Sequence, residues 1–166
     1  MAQPRAGGLK FAGWKDSSRL SVVCGMNIPI FLKLYAVAVV TFFIIDLLWL
    51  GVVARSFYQN QMGHLMRTEV NWTAAVVFYL IFVVGIVVLA VWPAVERQSL
   101  GHAIALGALL GLVTYAAYDL TNLATLDGFP FGVVLVDMTW GTVLCGSVSA
   151  VTYLASTRMF PSGAGP

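Results

Sequence analysis

An all-α fold, a polytopic membrane protein built as an antiparallel four-transmembrane-helix bundle, is predicted for this chain by its composition, its charge placement and its short connections. Of 166 residues, 60% are hydrophobic and 10% are charged, whereas soluble domains carry roughly a quarter charged residues. The charges are segregated. Uncharged runs cover 34–45, 70–95, 98–118 and 138–157, and a helical span needs about 20 predominantly apolar residues. Short connections make sequential helices antiparallel neighbours. The formal net charge of +2 is too small to suggest a nucleic-acid partner, so the expected partner is the lipid bilayer.

Residues 1–25 are basic and contain Gly and Ser without a clear period, which reads as a flexible tail. Met26 opens Met26-Asn27-Ile28-Pro29 just ahead of the first apolar run. It offers an alternative start, in which case the tail is a start-site artefact. The membrane domain is expected over 26–160, with residues 161–166 a disordered end. Cys24 and Cys145 have neither a metal-ligand spacing nor a disulfide pattern, and residues 20–32 are too interrupted for a secretory leader.

The first span is expected near 32–54. Its thirteen Leu, Ile, Val and Phe residues between 34 and 54 contribute roughly −6 kcal/mol on the insertion scale, enough to outweigh one Asp at about +3 kcal/mol. Residues 55–71 form a polar connection with room for an interfacial turn. The second span, near 72–93, is apolar all round and reads as the lipid-facing outer helix. The third, near 99–123, carries Ala103, Gly107, Gly111, Tyr115 and Asp119 at every fourth residue. This small-xxx-small stripe invites close backbone approach and suggests a central position. Asp127-Gly128-Phe129-Pro130 reads as a tight turn. The fourth span, near 131–155, repeats the spacing with Asp137, Gly141, Cys145 and Ser149. Helices one, three and four are thus expected to converge, with helix two outside.

Arg5, Lys10, Lys15, Arg19, Lys33, Arg97 and Arg158 fall on one side of this topology, and Arg55 and Arg67 on the other. The positive-inside rule then puts both termini in the cytoplasm.

Three acids inside the spans carry the functional signal: Asp46, Asp119 and Asp137. An Asp at a helix centre costs about 2.5–3.5 kcal/mol to insert, and such residues usually face a protein interior or a watery cavity. All three fall in the half of the bilayer opposite the termini, so a shared polar site is expected there. Tyr115, Tyr118 and Asn122 lie on one face with Asp119. Trp49 follows Asp46 by three residues, and Trp140 follows Asp137 by three. These eight residues form the candidate binding set, although for the two tryptophans an interfacial belt is the favoured reading.

Ile45-Asp46-Leu47-Leu48-Trp49-Leu50-Gly51, Gly63-His64-Leu65-Met66, Tyr118-Asp119-Leu120-Thr121-Asn122-Leu123-Ala124-Thr125 and Val136-Asp137-Met138-Thr139-Trp140-Gly141 resemble a family of small bacterial membrane proteins catalogued as domain of unknown function 2177. The resemblance covers roughly residues 27–156. It implies four helices and a bacterial inner (cytoplasmic) membrane, and it implies no activity, substrate or site residues.

Among chemistries, paired-histidine haem ligation fails because His64 and His102 lie at opposite ends of the bundle. Lys33, at a helix entrance, is misplaced for a buried Schiff base. A lipid-modifying enzyme or subunit stays open, as Asp46, Asp119, Asn122 and Asp137 supply oxygen donors. The pattern is sparser than an aspartate-rich motif, and no dedicated metal site is assigned. Small cation- or proton-coupled transport is the better match, since neighbouring buried carboxyls bind protons and cations competitively. Four spans are few for a transporter, so a homodimer is expected to complete the path. A structural or assembly role, in which the acids only join helices, has comparable standing. The residues specify neither a substrate nor a cofactor.

Overall fold

A computed structural model describes residues 27–159; the basic tail, Met26 and the C-terminal residues 160–166, with the expected end at 161–166, lie outside the described residues. The described chain is all helical, with four helices long and apolar enough to cross a membrane: Ile28–Val53, Trp72–Glu96, Leu100–Thr125 and Phe131–Met159. A short linker helix, Arg55–Met62, follows the first span, in the segment where an interfacial turn was expected.

The helix starts follow local chemistry. Pro29 sits in the first turn of the first span, where its missing N–H costs nothing, so that span begins at Ile28 and not near 32. The Asn71 side chain accepts from the Ala74 N–H at 3.1 Å, and the Ser99 hydroxyl from the His102 N–H at 3.3 Å. Each thereby satisfies one of the donors left over at a helix N-terminus. Gly128 takes a φ of 78° in the expected Asp127-Gly128 turn, a conformation that glycine adopts without strain. The fourth span continues to Met159, past the expected end at 155.

Two spans contain a π-helical turn. In the second span it covers Val87–Val91, directly before Pro93. A proline ring clashes with the carbonyl four residues earlier, here Leu89, and the wider turn accommodates it. In the first span the π-helical turn covers Trp49–Val53, immediately after Asp46.

The third and fourth spans pack most extensively. Ala103, Gly107, Gly111 and Asp119 on one side and Asp137, Gly141, Cys145 and Ser149 on the other are all buried, so the two fourfold stripes face each other. A Cβ at Gly107 would meet the Cys145 carbonyl at 2.5 Å, and one at Gly111 would run into the Gly141 carbonyl and lie 3.0 Å from Cys145 Cβ. The backbones therefore approach as closely as glycine permits.

The expected helix order needs two corrections. The fourth span, not the third, is central: it packs on the first, second and third, and has more buried positions than any other. The second span is not an outer helix. Its first half, including Trp72, Val76, Val77 and Ile81, is exposed, but Val83, Ile86, Val87, Ala90, Val91 and Ala94 are fully buried. It crosses from the periphery into the core, with Ile86, Val87 and Val91 packed among Leu34, Ala38 and Phe42 of the first span and Leu144 and Val148 of the fourth. The first span's main contacts are with the fourth and second, not with the third.

Candidate functional site

Depth brings the three acids level. By helical rise, Asp46, Asp119 and Asp137 each lie roughly 9–10 Å from the end of their span on the linker-helix side. All three are buried, Asp119 completely.

Asp46 is held between two other spans. The Tyr79 hydroxyl of the second span donates to its Oδ2 at 3.0 Å, and the Trp140 indole of the fourth span donates to its Oδ1 at a long 3.4 Å. Asp137 is held by the linker helix, whose Tyr58 hydroxyl donates to its Oδ1. Tyr58 in turn accepts from the Trp49 indole at 3.4 Å. The arrangement is crosswise: Trp140, on the helix of Asp137, reaches Asp46, and Trp49, on the helix of Asp46, reaches the partner of Asp137. The two indoles stack at 4.2 Å with planes 9° apart. Both indoles are components of the acid network. A π-helical turn starts at Trp49, and such turns recur at functional sites.

The linker helix reaches Asp137 because its apolar residues anchor it across the bundle end. Phe57, Tyr58 and Met62 pack against Phe129, Val133 and Val134. Burial, and then the Asp137 carboxyl to which it donates, push the Tyr58 hydroxyl above its ordinary range, so it remains a proton donor.

A cleft of about 410 Å³ opens over these groups. Asp46, Tyr79, Trp140, Asp137, Tyr115 and Tyr118 line its wall, and the exposed Arg55, Gln59 and Met66 of the linker segment mark its mouth. Tyr115 is set in place by Gly141, where a Cβ would collide with the phenol ring. Five of the eight residues expected from the sequence thus share one cleft, and Trp49 adjoins it through its stack on Trp140.

The other two differ. Asp119 is sealed off beside the cleft, within electrostatic reach of Asp137 and Tyr58, and neither of its carboxyl oxygens has a hydrogen-bond partner. Asn122 is half-buried one turn nearer the helix end and is not among the lining residues. Among the described residues, no three His, Cys, Asp or Glu side chains are grouped to hold a metal ion.

Two residues of the network were missed in the sequence. Tyr58 falls within the polar connection 55–71, with no pattern to single it out. Tyr79 carries the one hydroxyl between Thr73 and Pro93, and a phenol deep in an apolar helix needs a hydrogen-bond partner; that was the available signal.

A family model described as "Predicted membrane protein (DUF2177)" matches residues 31–154. The chain belongs to the DUF2177 family. The match takes in the second and third spans of this DUF2177 protein whole, most of the first and fourth, and every residue of the acid network. No curated protein and no solved structure matches it. The family description thus places the chain in a membrane and names no reaction.

Proposed function

We propose that this DUF2177 protein binds a small cation in the cleft and exchanges it against protons held by Asp46, Asp119 and Asp137, in small cation- or proton-coupled transport. The observation that carries the reading is the placement of two buried carboxyls, Asp46 and Asp137, along one aromatic cleft. The only cationic lining residue, Arg55, is exposed at the mouth. Asp119, buried without a partner beside Asp137, supplies a further proton site that a ligand does not touch. Toward the termini the bundle is filled by Leu34, Ala38, Val87, Val91 and Val148, so passage beyond Asp46 requires the spans to part or a second copy of the chain to complete the route.

The reading sets the protein in a bacterial inner membrane, as a membrane unit over 26–160 between two polar ends. Among the described residues, Lys33, Arg97 and Arg158 face Arg55 and Arg67 across the bilayer, which favours cytoplasmic termini. Reporter fusions after Gly63 and Gly128 should then report the outside, and one after Arg97 the inside. The opposite pattern at all three sites would invert the orientation and aim the cleft at the cytoplasm.

The functional test is cation-driven proton movement in proteoliposomes. Wild-type protein should show it and Asp137→Asn should not. Turnover of a lipid with no gradient-dependent flux would point to a lipid-modifying enzyme. Unchanged behaviour of the Asp→Asn variants would leave the acids a structural role.

A further inference from the structure

A second space meets the cleft from the side. It measures about 440 Å³ and is lined by Phe78, Phe82, Thr114, Tyr115, Tyr118 and Asp137. Four of these, Phe78, Tyr115, Tyr118 and Asp137, also line the main cleft, so the two spaces adjoin along a shared wall that carries Asp137. Thr114 lies one turn before Tyr118 and Phe82 one turn after Phe78. Given the opposite directions of the two spans, both steps lead roughly 6 Å deeper into the bilayer. Phe78 and Tyr118 are 53% and 59% exposed, and the third span packs on the second mainly at Val87–Glu96 and hardly at Trp72–Ile86, so the two helices part at this level. The passage therefore has two mouths. One lies beside the linker helix at Arg55 and Gln59, and the other opens between the second and third spans into the hydrocarbon.

We propose that the cation taken by this site is an amphiphilic organic ammonium, its head beside Asp137 and its apolar part in the branch between the second and third spans. The proposal rests on the cation-binding reading above and names its substrate class. Three observations favour it over an inorganic ion. A hard cation such as Mg²⁺ or Ca²⁺ needs six or more oxygen ligands, whereas the adjoining spaces offer two carboxyls, Asp137 and Asp46, each already engaged by a tyrosine hydroxyl. The rest of its wall is aromatic, and ring faces attract organic ammonium groups, the more so when water is excluded. Finally, a side branch into lipid serves a ligand that carries an apolar group and serves a hydrated ion not at all. Arg55 stands at the aqueous mouth, away from the branch, so an anionic head would be bound elsewhere in the passage.

The test is equilibrium binding to the full chain in lipid nanodiscs, corrected for empty discs, with octyltrimethylammonium, tetramethylammonium and octanoate as probes. Octyltrimethylammonium should bind saturably. Thr114→Leu, which fills the branch, should weaken it by about 10-fold or more, because several methylenes lose their place. Tetramethylammonium binding to the same variant should not change. Phe82→Trp fills the branch from the opposite wall and serves the same purpose if Thr114→Leu does not fold. Asp137→Asn should abolish binding of both ammonium probes. Equal octyltrimethylammonium affinity in wild type and in a folded branch-filling variant would overturn the proposal. If tetramethylammonium still bound and Asp137→Asn still removed it, the cation reading would survive that failure. Octanoate binding as tightly as the ammonium probes would overturn both.

Discussion

Gly111→Leu should disrupt the bundle, whereas Gly85→Leu should leave it intact. At position 111 a side chain enters the seam between the third and fourth spans, where even a Cβ collides with the Gly141 carbonyl and meets Cys145. Relief requires the backbones to separate, and the neighbouring contacts, Gly107 on Ser149 and Tyr115 on Gly141, are made by the same two helices and cannot yield independently. Overpacking of this kind costs about 1–3 kcal/mol and occasionally more. Gly85 has open space around its would-be Cβ, so a leucine there extends into lipid. Thermal unfolding in detergent should show a clear loss for the first variant and little change for the second. Equal stability of the two would mean that the seam is misplaced. Because Tyr115 is carried by the same seam, Gly111→Leu should also perturb the cleft.

Asp137→Asn should remove cation-driven proton flux while preserving the fold. The amide is nearly isosteric and its oxygen still accepts from Tyr58, so the linker helix keeps its anchor in Phe57, Met62 and the Phe129 cluster. What is lost is the charge at the junction of the two spaces. Asp119→Asn makes a useful contrast, since Asp119 lies outside the cleft wall and has no hydrogen bond to break. It should leave ligand affinity nearly unchanged and reduce flux by removing a proton site coupled to Asp137. Flux in both variants equal to wild type, with both folded, would assign the acids to packing alone.

The four spans and the facing stripes of the third and fourth helices were legible because they rest on length, charge exclusion and a fourfold repeat of small residues. The order of burial was not. In a membrane the lipid is as apolar as the protein core, so Val83, Ile86, Val87 and Val91 read the same facing lipid as they do packed on Leu34 and Leu144. That equivalence is why the second span was set outside and the third at the centre. The acids stood out because an unpaired charge at that depth is costly wherever it faces. Their partners were harder to see. Tyr58 belongs to a helix too short to show a period, and contact between Trp140 and Asp46 spans 94 residues of sequence, with nothing local to indicate it. The stacking of Trp49 on Trp140 likewise joins residues of the first and fourth spans, with no local pattern to announce it.

The most direct test of the account is whether cation binding displaces protons. Purified protein in weakly buffered nanodiscs should release protons when tetramethylammonium or octyltrimethylammonium is added, in proportion to the ligand bound. Asp137→Asn should neither bind nor release, and Asp119→Asn should bind but release fewer protons than wild type. Saturable binding in wild type without any proton release, or release that persists undiminished in Asp137→Asn, would contradict the exchange of cations for protons at this site.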